Sequence, residues 1–318
     1  MKVVIGYDGS RCARDAIADL RRAGLPPDTE ATVLAVADVF PPPPPSAAER
    51  VDLPAASAIA CEAEKYWGHA WAQARQAVTE AGEVSEAGAT RLRELYPGWS
   101  VRAESSADGP HWALVAKAGQ SGADLIVVGS HGRSALSRLT LGSVSQQVLQ
   151  YAPCSVRNAR CAPEAGGVVE GPVRLLLGID GSVVSATAAS AVAARAWPTG
   201  SQAVVVGVLD SHAVFAGMDI GPEGEPGNKM QPDPVARLEA SLKSAGEALR
   251  RSGLSVTTSL LTGDAKRTLL AEAERHDVDC IFLGAKGHSR IDRLLLGSVS
   301  ATVAARAYCS VEVVRAIA

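Results

Sequence analysis

The chain has 318 residues, of which 20% are charged, and a formal net charge of −3. That balance, without a cluster of Lys and Arg, excludes a nucleic-acid surface as the main function. The lack of any apolar run of about 18 residues excludes a spanning helix. The length points to two domains, and an aromatic content of 4% leaves the core to Val, Leu, Ala and Ile, which suits a parallel sheet covered by helices.

Met1 to Asp8 reads as a strand and not as a signal peptide, so the expected compartment is the cytoplasm. In chain order the first half then alternates Val/Ile/Leu runs with amphipathic stretches. Strands are predicted at about 2–7, 31–37, 100–104, 124–129 and 153–157, and helices at about 11–23, 58–95, 110–121 and 143–151. The second strand leads into Pro41 to Pro45, a stiff extended connector. Trp67 and Trp71, one helical turn apart in the long stretch that follows, are expected to pack on the core or on the other half. Pro163, Gly166, Gly167, Gly171 and Pro172 mark a boundary. The expected domains are 1–158 and 173–318, with 159–172 as the linker. In the second half, Gly217 to Pro234 reads as a mobile loop.

Strands alternating with helices predict an α/β fold: two tandem Rossmann-like domains, each an open five-stranded parallel sheet of order 3-2-1-4-5 with helices on both faces. The duplication is written in the chain. Val4-Ile5-Gly6-Tyr7-Asp8-Gly9-Ser10 returns as Leu177-Gly178-Ile179-Asp180-Gly181-Ser182, and the run ending Val36-Ala37-Asp38 returns as the run ending Val208-Leu209-Asp210. Asp124 to Gly129 and Leu141 to Ser145 return as Asp279 to Gly284 and Leu296 to Ser300. The offset is 172 from Asp8 to Asp180 and 155 from Gly129 to Gly284, so the first half is longer between its second and third strands.

Ligands of such sheets bind beyond the carboxyl ends of the strands, where strand order reverses. In the predicted order that point lies between strands 1 and 4. Asp8 meets Gly129 there, and Asp180 meets Gly284. Strand 4 runs into Gly129-Ser130-His131-Gly132, nine residues, then Gly142-Ser143; the second half repeats this as Gly284-Ala285-Lys286-Gly287, nine residues, then Gly297-Ser298. Glycines admit close approach of a ligand, and a helix N-terminus after them favours phosphate. Ser143 and Ser298 are expected to be N-caps, with Ser143 and Gln146 forming a capping box. No GKS or GKT follows the glycines, so this is not a P-loop, and the first turn lacks GxGxxG.

At these residues the chain resembles the universal stress protein family, in its tandem ATP-binding form, over nearly its whole length. The resemblance implies ATP as ligand. Asp8 and Asp180 would contact adenosine, and Val36 and Val208 would line adenine. Gly129, Gly132, Gly142, Ser143 and Val144 would cradle ribose and phosphates, as would Gly284, Gly287, Gly297, Ser298 and Val299. Mg²⁺ would be held by the phosphates, since no carboxylate cluster identifies a protein-borne metal site. The last strand of family members helps form a dimer. An intramolecular pseudo-dimer follows, with homodimerisation of the whole chain and an unidentified protein partner left open. The first half departs from the family at Cys154-Ser155-Val156-Arg157-Asn158, where Arg157 and Asn158 fit poorly in a buried strand.

Arg133 and Lys286 beside the loops carry charge that suits phosphate, or are solvated loop charges. His131 has no partner acid or nucleophile at fixed spacing, so no catalytic residue is assigned. Six widely spaced cysteines without CxxC read as buried small hydrophobes. The expected function is therefore a non-enzymatic, ATP-binding regulatory protein of the stress response. The alternatives are a slow ATP hydrolase and a dimerisation module with one inactive site.

Overall fold

A computed structural model describes residues 1–39, 58–130, 141–161, 171–209, 234–285 and 296–315, with side chains of the first long helix described from residue 68. The Pro41–Pro45 connector, His131, Gly132, Arg133, Lys286, Gly287 and His288, most of Gly217 to Pro234, and the side chain of Trp67 lie outside the described residues.

The first half runs β1 (Lys2–Gly6), α1 (Arg11–Asp19), a 3-10 turn (Leu20–Ala23), β2 (Glu30–Ala37), α2 (Ala58–Leu95), β3 (Ser100–Ala107), α3 (Pro110–Ser121), β4 (Leu125–Gly129), α4 (Ser143–Tyr151) and β5 (Ser155–Ala159). The second half runs β6 (Arg174–Ile179), α5 (Val183–Ala193), β7 (Gln202–Leu209), α6 (Pro234–Arg251), β8 (Ser255–Thr262), α7 (Ala265–Arg275), β9 (Cys280–Gly284), α8 (Ser298–Arg306) and β10 (Ser310–Val314). The strands form one ten-stranded sheet, β3-β2-β1-β4-β5-β10-β9-β6-β7-β8. Each half is parallel in the predicted order, and the halves join where β5 and β10 pair antiparallel.

Because side chains alternate across a strand, the sheet presents two different faces. On one, a single apolar core crosses the seam, from Val4 and Ile126 through Val156 and Val311 to Ile281 and Leu176. On the other, each half has its own core. Ile5, Ile17, Leu92 and Val127 belong to the first, and Leu177, Leu242, Leu249 and Phe282 to the second.

Four charges fill the gap between these two cores. Arg157 donates through Nε to Asp19 Oδ2 at 2.8 Å and pairs with Glu312 at 3.4 Å, and Glu312 is also bound by Arg195. Arg157 and Glu312 are both 0% exposed. Burial works against the Arg157 charge, but Asp19, Cys280 and Glu312 outweigh it and raise its affinity for the proton. The expectation that Arg157 and Asn158 would spoil the last strand is thus corrected. β5 starts two residues later than predicted, runs to Ala159, and lies in the interior of the sheet. A buried Arg is tolerated where carboxylates answer it. Asn158, also fully buried, donates from Nδ2 to the Ala304 carbonyl at 3.4 Å.

The seam is further tied by two reciprocal contacts. Arg160 donates to the Ala305 and Ala307 carbonyls at the end of α8, while Arg315 donates to the Leu149 and Gln150 carbonyls at the end of α4. Each arginine therefore satisfies the orphan carbonyls of a helix in the opposite half. The expected packing of Trp71 is not found: it stays 37% exposed, because the apolar stripe of α2 is carried instead by Ala74, Ala89 and Leu92. The uniform reading of the cysteines needs the same correction. Cys154, Cys280 and Cys309 are buried, but Cys12 and Cys161 are only partly so.

Candidate functional site

Each half opens on the same turn. Asp8 Oδ1 accepts from the Ser10 amide at 2.9 Å, and Asp180 Oδ1 accepts from the Ser182 amide at 2.9 Å. The residue between must turn with positive φ, and it is glycine both times: Gly9 at 75° and Gly181 at 78°. The serine then caps the next helix. Ser10 Oγ accepts from Ala13 and Ser182 Oγ from Ser185, at 3.2 and 3.1 Å. These serines have a structural role that the repeat alone did not reveal.

The end of strand 4 is pressed against that capped helix. A Cβ on Gly129 would lie 3.0 Å from the backbone of Cys12, and one on Gly284 would lie 3.1 Å from the backbone of Val184 and Ser185. Both contacts are tighter than most Cβ atoms make, so a side chain there would force the helix backbone to give by a few tenths of an ångström. Glycine here lets the end of strand 4 lie directly on the first turn of the capped helix.

Ser143 and Ser298 are not the caps predicted for them. The N-caps are Gly142 and Gly297, without a side-chain hydrogen bond, and the two serines are the first helical residues. The extended glycine anchors its own amide backwards: Gly142 to the Ser130 carbonyl at 2.9 Å, Gly297 to the Ala285 carbonyl at 2.7 Å. The serine that ties the helix down comes two residues later. Ser145 Oγ donates to the Gly129 carbonyl at 2.7 Å and Ser300 Oγ to the Gly284 carbonyl at 2.6 Å. Ser143 and Ser298 stay exposed beside the first amides of a helix, which have no intrahelical partner. Such a terminus carries the positive end of the helix dipole.

In the first half these elements enclose a cavity of about 590 Å³, within the usual range for small-ligand sites. Asp8, Val36, Gly129, Gly142, Ser143 and Val144 all line it. In the second half the corresponding Asp180, Gly284, Gly297 and Ser298 occupy equivalent places in the turn, strand end and helix start. Val208 and Val299 pack against the same core as Val36 and Val144.

One wall was not foreseen. Ala77, Glu80, Ala81 and Val84 of α2 close the first cavity. Their spacing of i, i+3, i+4 and i+7 is the signal that marks one helix face. The helix comes this close because Gly88 lies on the Tyr7 ring, where a Cβ would approach to 2.8 Å. Burial raises the pKa of Tyr7, against the opposing charges of Arg14 and Arg91. Among the described residues, no group of three His, Cys, Asp or Glu is placed to hold a metal ion. Nor is any described helix long and apolar enough to cross a membrane.

Over almost its whole length the chain is similar to a universal stress protein of Archaeoglobus fulgidus, with a TM-score of 0.61 at 20% identity, covering 99% of this chain and 98% of that one. A putative universal stress protein of Pseudomonas aeruginosa gives 0.56 at 15% identity, covering 99% and 93%. At these identities the likeness is one of fold. Sequence similarity is more local. A universal stress protein of Synechocystis sp. is 36% identical over 75 residues, 24% of this chain and 25% of that protein. One of Methanocaldococcus jannaschii is 31% identical over 77 residues, 24% of this chain and 45% of that protein. The matched stretches thus span well under two thirds of these relatives. The profile of the universal stress protein family, however, matches residues 1–157 and again 173–315. The chain belongs to the universal stress protein family, as two tandem copies of its domain.

Proposed function

We propose that the chain is a cytoplasmic, ATP-binding regulatory protein with one nucleotide site per half. The two halves are taken as 1–158 and 173–318, joined by 159–172. The observation that carries this reading is the first cavity, where the aspartate turn, the end of strand 2 and the start of α4 converge. In it, Val36 offers an apolar wall suited to adenine and Asp8 a carboxylate acceptor suited to ribose hydroxyls. The amides opening α4 and the Ser143 hydroxyl suit phosphate. Gly132, three residues after Gly129 in the sequence, is assigned to the same phosphate cradle. Asp180, Val208, Gly284, Gly287, Gly297, Ser298 and Val299 take the same roles in the second half. The repeated turn, cap and serine tie support that extension. Mg²⁺ enters with the phosphates.

Among the described residues no nucleophile, base and orienting acid converge in the cavity, and on this reading occupancy itself is the signal, read by a protein partner or by a second copy of the chain. The test is mass spectrometry of nucleotide released from denatured, freshly purified protein, together with thermal unfolding with and without ATP and Mg²⁺. Bound ATP and a raised midpoint are expected. A chain that carries no nucleotide and shows no shift overturns the reading. Single-turnover hydrolysis approaching about 1 per second, an enzyme's rate, would overturn its non-catalytic part.

A further inference from the structure

We infer that Cys12 and Cys161 form a reversible disulfide at the base of the first glycine loop, and that it weakens the first nucleotide site without touching the second. The regulatory half of this inference rests on the function proposed above; the disulfide does not.

The two thiols belong to segments that meet beside Ser130. Cys12 is the second residue of α1, and its backbone is what Gly129 packs against. Cys161 follows β5. Its amide donates to Ser130 Oγ at 3.4 Å, and its thiol donates to Asp15 Oδ2 at 3.2 Å. Asp15 is three residues beyond Cys12 on α1, so the Cys161 thiol rests on the helix turn that carries Cys12. Ser130 in turn ties strand 4 to β5 and to the start of α4: its amide donates to the Ala159 carbonyl and its carbonyl accepts from Gly142. A covalent bond between the two sulfurs therefore closes around the residue that links strand 4 to the start of α4.

Their surroundings separate this pair from the structural cysteines. Cys154 and Cys309 are repeat equivalents, both buried, as a conserved packing role in each half requires. Cys12 and Cys161 are partly exposed and so accessible to small oxidants. The second half has Val184 and Ala316 at their equivalent positions, so it cannot form the bond.

The exchange needs an oxidant of the small-molecule disulfide class. Cys12 attacks one sulfur of oxidised glutathione, displacing the first glutathione as thiolate and leaving a mixed disulfide. Cys161 then attacks the Cys12 sulfur and displaces the second. Two protein thiols are oxidised, one disulfide is reduced to two thiols, and the two protein S–H protons end on the departing glutathiones. The order follows from the surroundings of Cys161. Burial, with hydrogen bonds to Cys12 and Asp15, pushes its thiol up to about 12, which disfavours it against a dissolved disulfide; in the second, intramolecular step the Asp15 carboxylate, 3.2 Å from the thiol, takes its proton as it attacks and passes it to the departing glutathione.

The test treats the full chain with oxidised glutathione and maps peptides without reduction. A Cys12–Cys161 cross-link is expected. In Cys161→Ser, glutathione stays on Cys12, while Cys12→Ser leaves Cys161 unmodified. The same reduced and oxidised samples are titrated with ATP. Affinity at one of the two sites falls about tenfold on oxidation, recovers with dithiothreitol, and is insensitive to oxidant in Cys161→Ser. Absence of the cross-link, or trapping on Cys161 in place of Cys12, overturns the pairing or its order. A cross-linked chain that binds ATP like the reduced one overturns the regulation. If the reduced chain binds no ATP at all, the nucleotide reading fails, and peptide mapping still decides the disulfide.

Discussion

Arg157 and Glu312 occupy the same position in the two halves, 155 residues apart, and face each other across the β5–β10 seam. In a dimer of identical domains the residue on this axis would meet its own copy, Arg against Arg or Glu against Glu. Duplication let the two copies diverge into a charge pair. The run Asp19, Arg157, Glu312, Arg195 alternates in sign, so each half recognises the other and repels itself. Arg157→Ala is expected to cost about 3–5 kcal/mol in stability, because it leaves buried carboxylates unanswered. Arg157→Glu will cost more. Adding Glu312→Arg to it will recover part of the loss, since Asp19 and Arg195 then oppose the exchanged pair. Urea unfolding in a double-mutant cycle measures this, and zero coupling would show that the pair does not set the seam.

Serine substitutions separate the helix caps from the cradle proposed above. Ser10→Ala or Ser182→Ala removes a cap bond and lowers stability by about 1 kcal/mol. Ser143→Ala removes no hydrogen bond that holds the fold, so stability stays put while affinity for ATP at the first site drops. Equilibrium unfolding and calorimetric titration of the same samples separate the two effects.

The α2 wall gives a steric probe. Ala81→Trp places a large ring in the first cavity and leaves the second half untouched. Titration with ATP is expected to lose one class of site, with the remaining stoichiometry near one per chain. Two unchanged sites would mean that the cavity is not where ATP binds.

Buried thiols set the alkaline limit. Burial pushes Cys280 up to about 12, with Arg157 opposing, and Cys154 is likewise pushed to about 12 by burial with Asp124 adding to it. Both ionise near 9 when unfolded. Between those values the unfolded chain holds fewer protons than the folded one, so stability falls as pH rises, by up to about 1.4 kcal/mol per unit for each thiol. Below 9 neither contributes to the slope. Cys280→Ala should flatten the fall, as read by urea midpoints between about pH 8 and pH 11.

Strand order and repeat were legible because parallel strands are continuous apolar runs and the duplicated motifs fix their ends. That Asp8, Val36, Gly129 and Gly142 would lie together at the ends of those runs, where they line one cavity, was legible for the same reason. What sequence reasoning misread depends on what lies opposite. Arg157 looks foreign to a strand until Asp19 and Glu312, 138 residues before it and 155 after it, are placed beside it. Ser143 reads as a cap by spacing, but the glycine before it already takes the extended conformation, and Ser145 makes the bond. The α2 wall had a visible period, yet nothing in the sequence says that this face covers the end of strand 2 and not the flank of the sheet.

The crossed arginines bear on how the protein responds to dilution. Arg315 finishes α4 and Arg160 finishes α8, so each of these helices is completed by a residue reaching across the β5–β10 seam. In separate domains that completion would vary with abundance, and a scarce protein would hold unfinished helix ends. Tethering makes the encounter intramolecular, at an effective concentration that the peptide linker sets. The geometry of the paired halves is then independent of how dilute the protein is.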